Sequence, residues 1–441
     1  MRDIAVMFIL AACIVAAFKR PWLGVLGLAL FTYANPHRYA WGFSMTFPVY
    51  QVLFFAVVVA FVASGVKRQP LPKDWRIPTF FILWFYFFLT TLDSASPYAA
   101  WPKLIDTSKV YMPFLLMLWL IDTREKLFWL IATVGGSLGL LAVKGGIFAI
   151  ATGFSYRTWG PEGTQFGGNN EFALATLIIL PLLVLLMREV KDLRAKYALM
   201  AAMPLCIASA ISSNSRGAFL TLGVVITMLL WHSKRKWMVV PVIFLGGVVA
   251  LQSLPDQWFD RMKTIETYEE DQSAMGRIRV WTDGINYALK NPLTGAGFDG
   301  WRYVTERDWH SAYVEALAEH GFPGFLLWLS LLYGSIFSLT NLARKVKNIP
   351  ELAWVRNYSY MLRMALMAYA VGSLFLGLTY WSLLYHIIFM AVLTRKFALE
   401  ELAEYEAGRQ PPTRLTENSR NVGYDPGLVR NRSMVKKSMT N

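Results

Sequence analysis

Residues 171–187 read EFALATLIILPLLVLLM, a stretch in which only the first residue carries a charge. A helix that crosses a bilayer needs about 20 predominantly apolar residues, and this stretch reaches that length with its flanks. Similar segments recur along the chain as far as Thr394. The thirteen apolar segments lie at 4–18, 21–35, 48–66, 77–92, 107–121, 127–152, 171–187, 197–213, 217–232, 238–254, 322–342, 358–379 and 381–394. This repetition predicts a chain that crosses a membrane many times.

The composition agrees with this prediction. Apolar residues make up 55% of the 441 residues and charged residues only 16%, against about 25% charged in an ordinary soluble domain. Inside a bilayer the backbone must satisfy its own hydrogen bonds, so each apolar segment is predicted to be a helix. We therefore predict an all-α, polytopic membrane helix bundle over residues 1–395.

The number of spans depends on the first two segments. Lys19, Arg20 and Pro21 separate them, and both segments are short. If they form one unit that is broken around Pro21, the chain has twelve spans and both termini lie inside the cell. If each crosses separately, the chain has thirteen spans and Met1 lies outside. We expect twelve spans, with thirteen as the alternative.

The distribution of basic residues predicts the topology. The net charge is +14, but Lys and Arg lie in short clusters between apolar segments rather than along one face, which argues against a nucleic-acid partner. Because basic loops favour the cytoplasm, the connections 67–76, 124–126, 188–196, 234–236 and 344–347 are predicted to be cytoplasmic. The connections 36–47, 93–106, 153–170, 214–216 and 255–321 then lie on the opposite side.

The longest connection, residues 255–321, joins the tenth and eleventh apolar segments. It is predicted to be a folded, helical loop that faces away from the cytoplasm and carries the chemistry. Residues 409–441 are basic and contain few apolar side chains. They are predicted to form a disordered cytoplasmic tail that contacts anionic membrane lipids.

Arg216 is the clearest candidate near the end of a span. It lies in the polar break SSNSRG, residues 212–217, between two apolar segments on the side away from the cytoplasm. One interpretation is a boundary arginine that extends to lipid headgroups. The other is an anion clamp, because a guanidinium group offers a bidentate fork to phosphate oxygens.

The long loop contains two predicted helices. Residues 276–290, GRIRVWTDGINYALK, place Arg277 and Trp281 on one helical face, and Asn291-Pro292 ends that helix. The following LTGAGF is predicted to be a tight turn rather than a phosphate-binding loop. Residues 308–321, DWHSAYVEALAEHG, predict a second helix with His310 at its start, where the helix N-terminus favours a neutral imidazole that can accept a proton.

Motifs for other chemistries are missing from the sequence. It contains no HExxH motif and no cluster of cysteines and histidines, so we predict neither a metal ion nor a cofactor. Cys13 and Cys206 lie in apolar segments far apart and do not indicate a disulfide.

Three patches of the sequence resemble the O-antigen ligase and polymerase superfamily of bacterial envelope glycosyltransferases. They are FGGNNEFA at 166–173, SNSRGA at 213–218, and the loop with GR at 276–277, Trp281, NPLTGAG at 291–297, HS at 310–311 and EHG at 319–321. Their order and their side of the membrane also match. The N-terminal region, with NPHR at 35–38 before WG at 41–42, resembles a subgroup of O-glycosylation ligases associated with exosortase systems.

The resemblance implies a glycan transfer at the periplasmic face of the bacterial inner membrane. The donor would be a polysaccharide linked to undecaprenyl pyrophosphate, and the acceptor a sugar of lipid A-core. The essential histidine of the family falls on His310 and its inter-span arginine on Arg216, and its loop arginine falls on Arg277, with Arg279 or Arg302 as alternatives. The expected substrate-binding residues are Arg279, Arg302, Asn170 and Trp281. His310-Ser311 departs from the His-Asn pair of many relatives, which leaves the acceptor open.

Three other functions remain as alternatives. A polymerase of the same superfamily uses the same donor and a second lipid-linked glycan as acceptor. A protein O-glycosylation ligase transfers the glycan to protein hydroxyl groups. A transporter of lipid-linked glycans is expected to contain an internal repeat and charges near the middle of spans, and we identify neither.

Overall fold

The computed structural model describes residues 1–65, 70–232 and 272–408, with side chains from Met275 onward in the last range. Every regular element in these ranges is helical. The predicted all-α class is therefore confirmed for the described part. The tenth apolar segment, the start of the long loop at residues 255–271 and the predicted tail at 409–441 lie outside the described residues.

The fourteen helices of the described ranges that exceed one turn are numbered here in chain order. They are α1 Arg2–Lys19, α2 Pro21–Tyr33, α3 Val49–Ala63, α4 Arg76–Leu92, α5 Pro97–Tyr111, α6 Pro113–Leu120, α7 Arg124–Ala151, α8 Asn169–Glu189, α9 Leu193–Ser212, α10 Arg216–Trp231, α11 Gln272–Lys290, α12 Ala312–Lys345, α13 Ala353–Gly372 and α14 Ser382–Glu406. Single helical turns occur at Pro36–Tyr39, Phe43–Met45, Trp301–Val304, Pro350–Leu352 and Ser373–Phe375.

Five of these helices, α7, α8, α9, α12 and α14, are long and apolar enough to cross a membrane. Shorter apolar helices are α2, α3, α4 and α10. The chain is thus a multi-pass membrane protein. Helices α8 and α14 form the centre of the bundle, because side chains on all sides of them are buried.

Close packing in the bundle depends on glycine in α7. An ideal Cβ added to Gly146 would lie 2.0 Å from the backbone oxygen of Leu205 in α9. Only a glycine permits this approach of the two backbones, which increases van der Waals contact where the hydrophobic effect between helices is weak.

Polar contacts join connections at each end of the bundle. At one end, the Asn169 side chain donates a hydrogen bond to Ser213 O over 2.8 Å, and Trp381 Nε1 donates to Gln165 O over 2.9 Å. At the other end, Arg124 pairs with Glu189 at 3.1 Å. We call the first of these the site end, because the candidate residues described below lie there.

The first two helices form an antiparallel hairpin. Asp3, near the start of α1, accepts a hydrogen bond of 2.7 Å from the Ser44 hydroxyl group, which lies in the connection after α2. Arg2 reaches the backbone oxygen of Tyr39 in that same connection over 3.2 Å. The expected single unit broken around Pro21 is therefore wrong, because the chain reverses fully at Arg20, whose backbone is extended.

The end of the long loop folds back onto the start of α12. Gly321 interrupts α12 with φ 63° and ψ −172°, at the residue where the sequence predicted the second helix of the long loop to end. The turn at 291–297 packs against this break, and Ala296 N and Gly297 N donate to the oxygens of Ala318 and Glu319 over 2.8 Å. The glycine-rich segment is therefore a turn that caps a helix C-terminus, as expected.

Candidate functional site

A small pocket of about 40 Å³ opens at the site end of the bundle, where α8 and α10 begin. It joins residues of four separate parts of the chain. Its lining residues are Asn170, Leu174, Ser215, Arg216, Gly217, Ala218, Arg277, Gly372, Phe375 and Leu376. Three residues predicted from the sequence, Arg216, Arg277 and Asn170, thus lie around one pocket.

The local sequence explains how α10 begins at the pocket. Asn214 adopts a left-handed backbone with φ 54°, a conformation that asparagine tolerates better than most residues. Ser215 is the N-cap of α10, and its side chain accepts a hydrogen bond of 3.3 Å from Ala218 N. Arg216 is therefore the first residue of α10, and its position is fixed by a capped helix end.

Two glycines allow the pocket walls to approach. An ideal Cβ on Gly372 would lie 2.2 Å from a methyl carbon of Leu174 in α8. A Cβ on Gly217 would lie 3.3 Å from the ring of Phe375. A side chain at Gly372 would require the Leu174 side chain to move, so the packing of α8 against α13 at this wall uses the small size of the glycine.

The pocket is built to attract an anion. Arg216 and Arg277 each carry a guanidinium group with five N–H donors. The N-termini of α8 and α10 add the positive ends of two helix dipoles, each equivalent to about half an elementary charge. Such an arrangement suits the oxygens of a phosphate or diphosphate group.

The structure separates the three loop arginines that the sequence left open. Arg277 lines the pocket, whereas Arg279, two residues further along α11, is exposed. Arg302 is also exposed; its Nε lies 3.8 Å from Asp299, and its guanidinium carbon lies 4.5 Å from the centre of the Trp301 ring. Arg277 is the loop arginine that the fold brings to Arg216.

His310 lies beside this pocket but does not line it. Its backbone has φ 49°, in the left-handed region that is uncommon for residues other than glycine. Ser311 is the N-cap of α12, which begins at Ala312, so His310 precedes the helix instead of forming its first turn as predicted.

The surroundings of His310 favour its neutral form. Partial burial is the largest cause and lowers the pKa of His310 below its ordinary value. The negative charge of Asp308 opposes this, and the positive charge of Arg277 lowers the pKa further. Burial is thus the main influence that favours a neutral imidazole, where we had expected the helix N-terminus to act.

Trp281 connects α11 to the segment that carries His310. Its indole Nε1 donates a hydrogen bond of 2.8 Å to the backbone oxygen of Trp309. This indole N–H is therefore occupied within the protein. The expected contact between Trp281 and a substrate would have to use the face of its ring.

The sequence analysis did not identify a group of buried polar residues next to His310. Glu319 accepts hydrogen bonds from Trp309 and Tyr380, and Glu315 accepts one of 2.8 Å from the backbone N–H of Thr379. One signal was present in the sequence, because Glu315 and Glu319 are four residues apart and therefore share one face of a helix otherwise rich in apolar residues. In the described parts of the chain, no group of three or more histidine, cysteine or carboxylate side chains is arranged so that it could hold a metal ion.

Comparisons with known proteins relate part of this chain to a described family. Residues 201–329 match a family model described as O-Antigen ligase, and residues 1–191 match a second model described as a family of unknown function (DUF5935). A comparison with curated proteins finds no match. The first matched region contains Arg216, Arg277 and His310, so these three residues lie in the part of the chain that is similar to O-antigen ligases.

Proposed function

We propose that this protein is an O-antigen ligase, which transfers a polysaccharide from undecaprenyl pyrophosphate to an acceptor sugar of lipid A-core at the periplasmic face of the inner membrane. The observation that carries the proposal is the meeting of Arg216 and Arg277 at one pocket, beside a histidine whose surroundings keep it neutral. A diphosphate leaving group requires cationic side chains such as the two arginines. A hydroxyl nucleophile requires a proton acceptor such as the histidine.

In the proposed reaction, an acceptor hydroxyl oxygen attacks the anomeric carbon of the first donor sugar. The new glycosidic C–O bond forms while the C–O bond to the pyrophosphate breaks, with inversion at that carbon. His310 accepts the hydroxyl proton, and general-base assistance of this kind contributes about 10²- to 10⁴-fold. The bond electrons leave with undecaprenyl pyrophosphate, and the reaction needs no nucleotide sugar and no metal ion.

Arg216 and Arg277 would stabilise the charge that develops on the departing pyrophosphate. Preorganised donors act strongly when they are aimed at such a charge, and removal of one donor typically costs about 3 kcal/mol of transition-state stabilisation. The N-terminus of α10 would add to this effect, because its first turn forms part of the pocket wall. Asn170, at the start of α8, would contribute an amide for the sugar or the phosphate.

The family also accommodates a polymerase or a protein O-glycosylation ligase that uses the same donor. The narrower resemblance to the exosortase-associated subgroup favours the protein ligase and stays a prediction. All three reactions share the proposed donor site and differ in the acceptor. The roles given to Arg279 and Arg302 in substrate binding also stay predictions, and their exposed positions would suit contact with the glycan rather than the diphosphate.

The test is a transfer assay with the purified protein and undecaprenyl-pyrophosphate-linked polysaccharide. Lipid A-core, a second lipid-linked glycan and a serine-rich acceptor protein are supplied in separate reactions. Glycan attached to lipid A-core in the wild type, and lost in His310→Ala, is the expected result. His37→Ala, a histidine at the same end of the bundle, serves as the control and should transfer normally.

The acceptors separate the alternatives. Elongated lipid-linked chains would identify a polymerase, and glycosylated protein would identify a protein ligase. Full activity of His310→Ala would contradict the assignment of the base. If a donor supplied on one side of sealed vesicles appeared on the other without any transfer, the chain would be a transporter and the proposal would fail.

A further inference from the structure

The segment that carries His310 is held from both sides by indole groups. On one side, Trp281 Nε1 donates to the backbone oxygen of Trp309 over 2.8 Å. On the other, Trp309 Nε1 donates to Glu319 Oε1, also over 2.8 Å. The ring of Trp309 is fully buried. The residue immediately before His310 is therefore fixed through both its main chain and its side chain.

The packing around Trp309 leaves it little freedom. An ideal Cβ on Gly284 in α11 would lie 2.6 Å from the Trp309 ring, so α11 lies directly against the indole. Val280, Val314 and Ala318 complete the apolar wall around it. Trp309 thus occupies the contact between α11, which bears Arg277, and α12, which begins just after His310.

Glu319 extends this contact into the bundle. Its Oε2 accepts a hydrogen bond from the Tyr380 hydroxyl group, and this hydroxyl also lies 2.6 Å from His320 Nε2. His320 Nδ1 in turn lies 2.7 Å from Thr90 Oγ1 in α4. Which of the two ring nitrogens of His320 donates depends on the tautomer of the imidazole. The carboxyl, phenol, imidazole and hydroxyl groups form one connected chain.

The buried position makes this hydrogen-bonded chain rigid. Glu319 is 1% exposed and His320 is 0% exposed. Buried polar groups that lose a partner are costly, so each member constrains its neighbours. The positive φ of His310 requires such support, since a left-handed backbone at a non-glycine residue is strained and persists only when its surroundings determine it.

We infer that Trp309 and Glu319, together with Trp281, form a positioning latch that holds His310 at the distance from the pocket that proton transfer requires. This inference rests on the proposed function and goes beyond it. The groups with which the three residues form the latch contact the protein itself and need not touch a substrate. The latch acts most directly on His310. Of the residues that line the pocket, Arg277 lies in α11, which packs against Trp309, whereas the other walls come from α8, α10 and residues 372–376.

If the latch positions His310, its loss should lower kcat and leave donor binding nearly unchanged. Trp309→Phe removes the indole N–H and keeps an aromatic ring in place. A misplacement of about 1 Å can cost about 10²-fold in rate. We expect kcat to fall at least about tenfold, while the KM for the lipid-linked donor stays within about twofold. Trp281→Phe, at a half-buried position that tolerates the change better, should act in the same direction and serves as the second variant if Trp309→Phe does not fold.

A matched control lies at the opposite end of the bundle. Trp354 Nε1 donates to Glu401 Oε2 over 2.7 Å, which repeats the indole-to-carboxyl hydrogen bond far from the site. Trp354→Phe should leave kcat unchanged. If both tryptophan variants reduce kcat equally, the loss reflects general stability and the inference is overturned.

A second measurement does not depend on transfer. The rate at which diethyl pyrocarbonate modifies His310, read by mass spectrometry against His37 in the same sample, reports how His310 is held. We expect Trp309→Phe and Glu319→Gln to change this ratio at least about threefold and Trp354→Phe to leave it unchanged. A loss of kcat without a change in this ratio, or an unchanged kcat, would overturn the latch. If the wild type shows no transfer, the proposed function fails, and the modification ratio alone decides the latch.

Discussion

Arg216 and Arg277 line the same pocket, although one begins α10 and the other lies in α11, beyond a long stretch of intervening sequence. Guanidinium groups offer bidentate hydrogen bonds to phosphate oxygens, so two of them at one pocket are the arrangement that the proposed diphosphate-bearing donor would fit.

The bidentate geometry of Arg216 can be tested with Arg216→Lys, which keeps the charge and loses the planar fork. We expect kcat/KM for the lipid-linked donor to fall about 10²-fold, in line with the loss of one preorganised donor. Arg157→Lys is the matched control, because Arg157 is exposed in the connection 153–170 and does not line the pocket. Equal kinetics for Arg216→Lys and the wild type would rule out a guanidinium-specific clamp.

The pH dependence of kcat/KM should report His310. A base is active in its neutral form, so activity is lost as the pH falls through its pKa. Burial lowers the pKa of His310 below its ordinary value of 6.5, and we therefore expect the acid midpoint below pH 6.5. Because the charge of Asp308 raises this pKa, Asp308→Asn should move the midpoint further down.

Substitution of other charged residues that act on His310 tests whether its pKa also shifts in the opposite direction. Arg277 and Arg307 lower its pKa and Glu171 raises it. Arg307→Gln should thus move the midpoint up, and Glu306→Gln, an exposed acid next to it, should leave the midpoint unchanged. A wild-type midpoint above 6.5, or an upward shift in Asp308→Asn, would contradict this account of the base.

The packing of α7 against α9 predicts opposite effects at two glycines. Gly146→Ala would place a Cβ 2.0 Å from Leu205 O, so the helices must separate, at a cost of about 1–3 kcal/mol or more. Gly136→Ala in the same helix meets nothing within 4 Å and gains about 1 kcal/mol of helix propensity. Thermal unfolding in detergent should show a lower midpoint only for Gly146→Ala. A midpoint that is equal in both variants would disprove the close helix contact.

The hairpin of α1 and α2 predicts where the N-terminus lies. The contact of Asp3 with Ser44 places the start of α1 at the same end of the bundle as the connection 36–47. A cysteine introduced at Thr46 and an epitope tag placed before Met1 should therefore be accessible from the same side of the membrane. Lys19→Cys should label from the other side. Labelling of Thr46→Cys and of the tag from opposite sides would instead support a single span that is broken around Pro21.

The fold class could be predicted from the sequence because a bilayer limits the possible structures. Apolar segments such as 171–187 must be helical wherever water cannot satisfy the backbone. Local signals were equally direct, since Asn291-Pro292 follows the last residue of α11 and Gly321 interrupts α12. The reversal of the chain at Arg20 could not be predicted from a local sequence signal of this kind. Whether two short apolar segments form one span or two depends on which residues they pack against.

The chain by itself determined that this is an all-helical membrane protein, and its motifs selected Arg216 and His310 as candidates, because residue type and local pattern carry that information. The tertiary structure alone decided which loop arginine reaches the pocket, since Arg277 and Arg279 differ only in the face of α11 that they occupy. It also decided that Trp309 and Glu319 hold the segment of His310. These relationships depend on distances between helices that are far apart in the sequence, and only the packing of the bundle sets those distances.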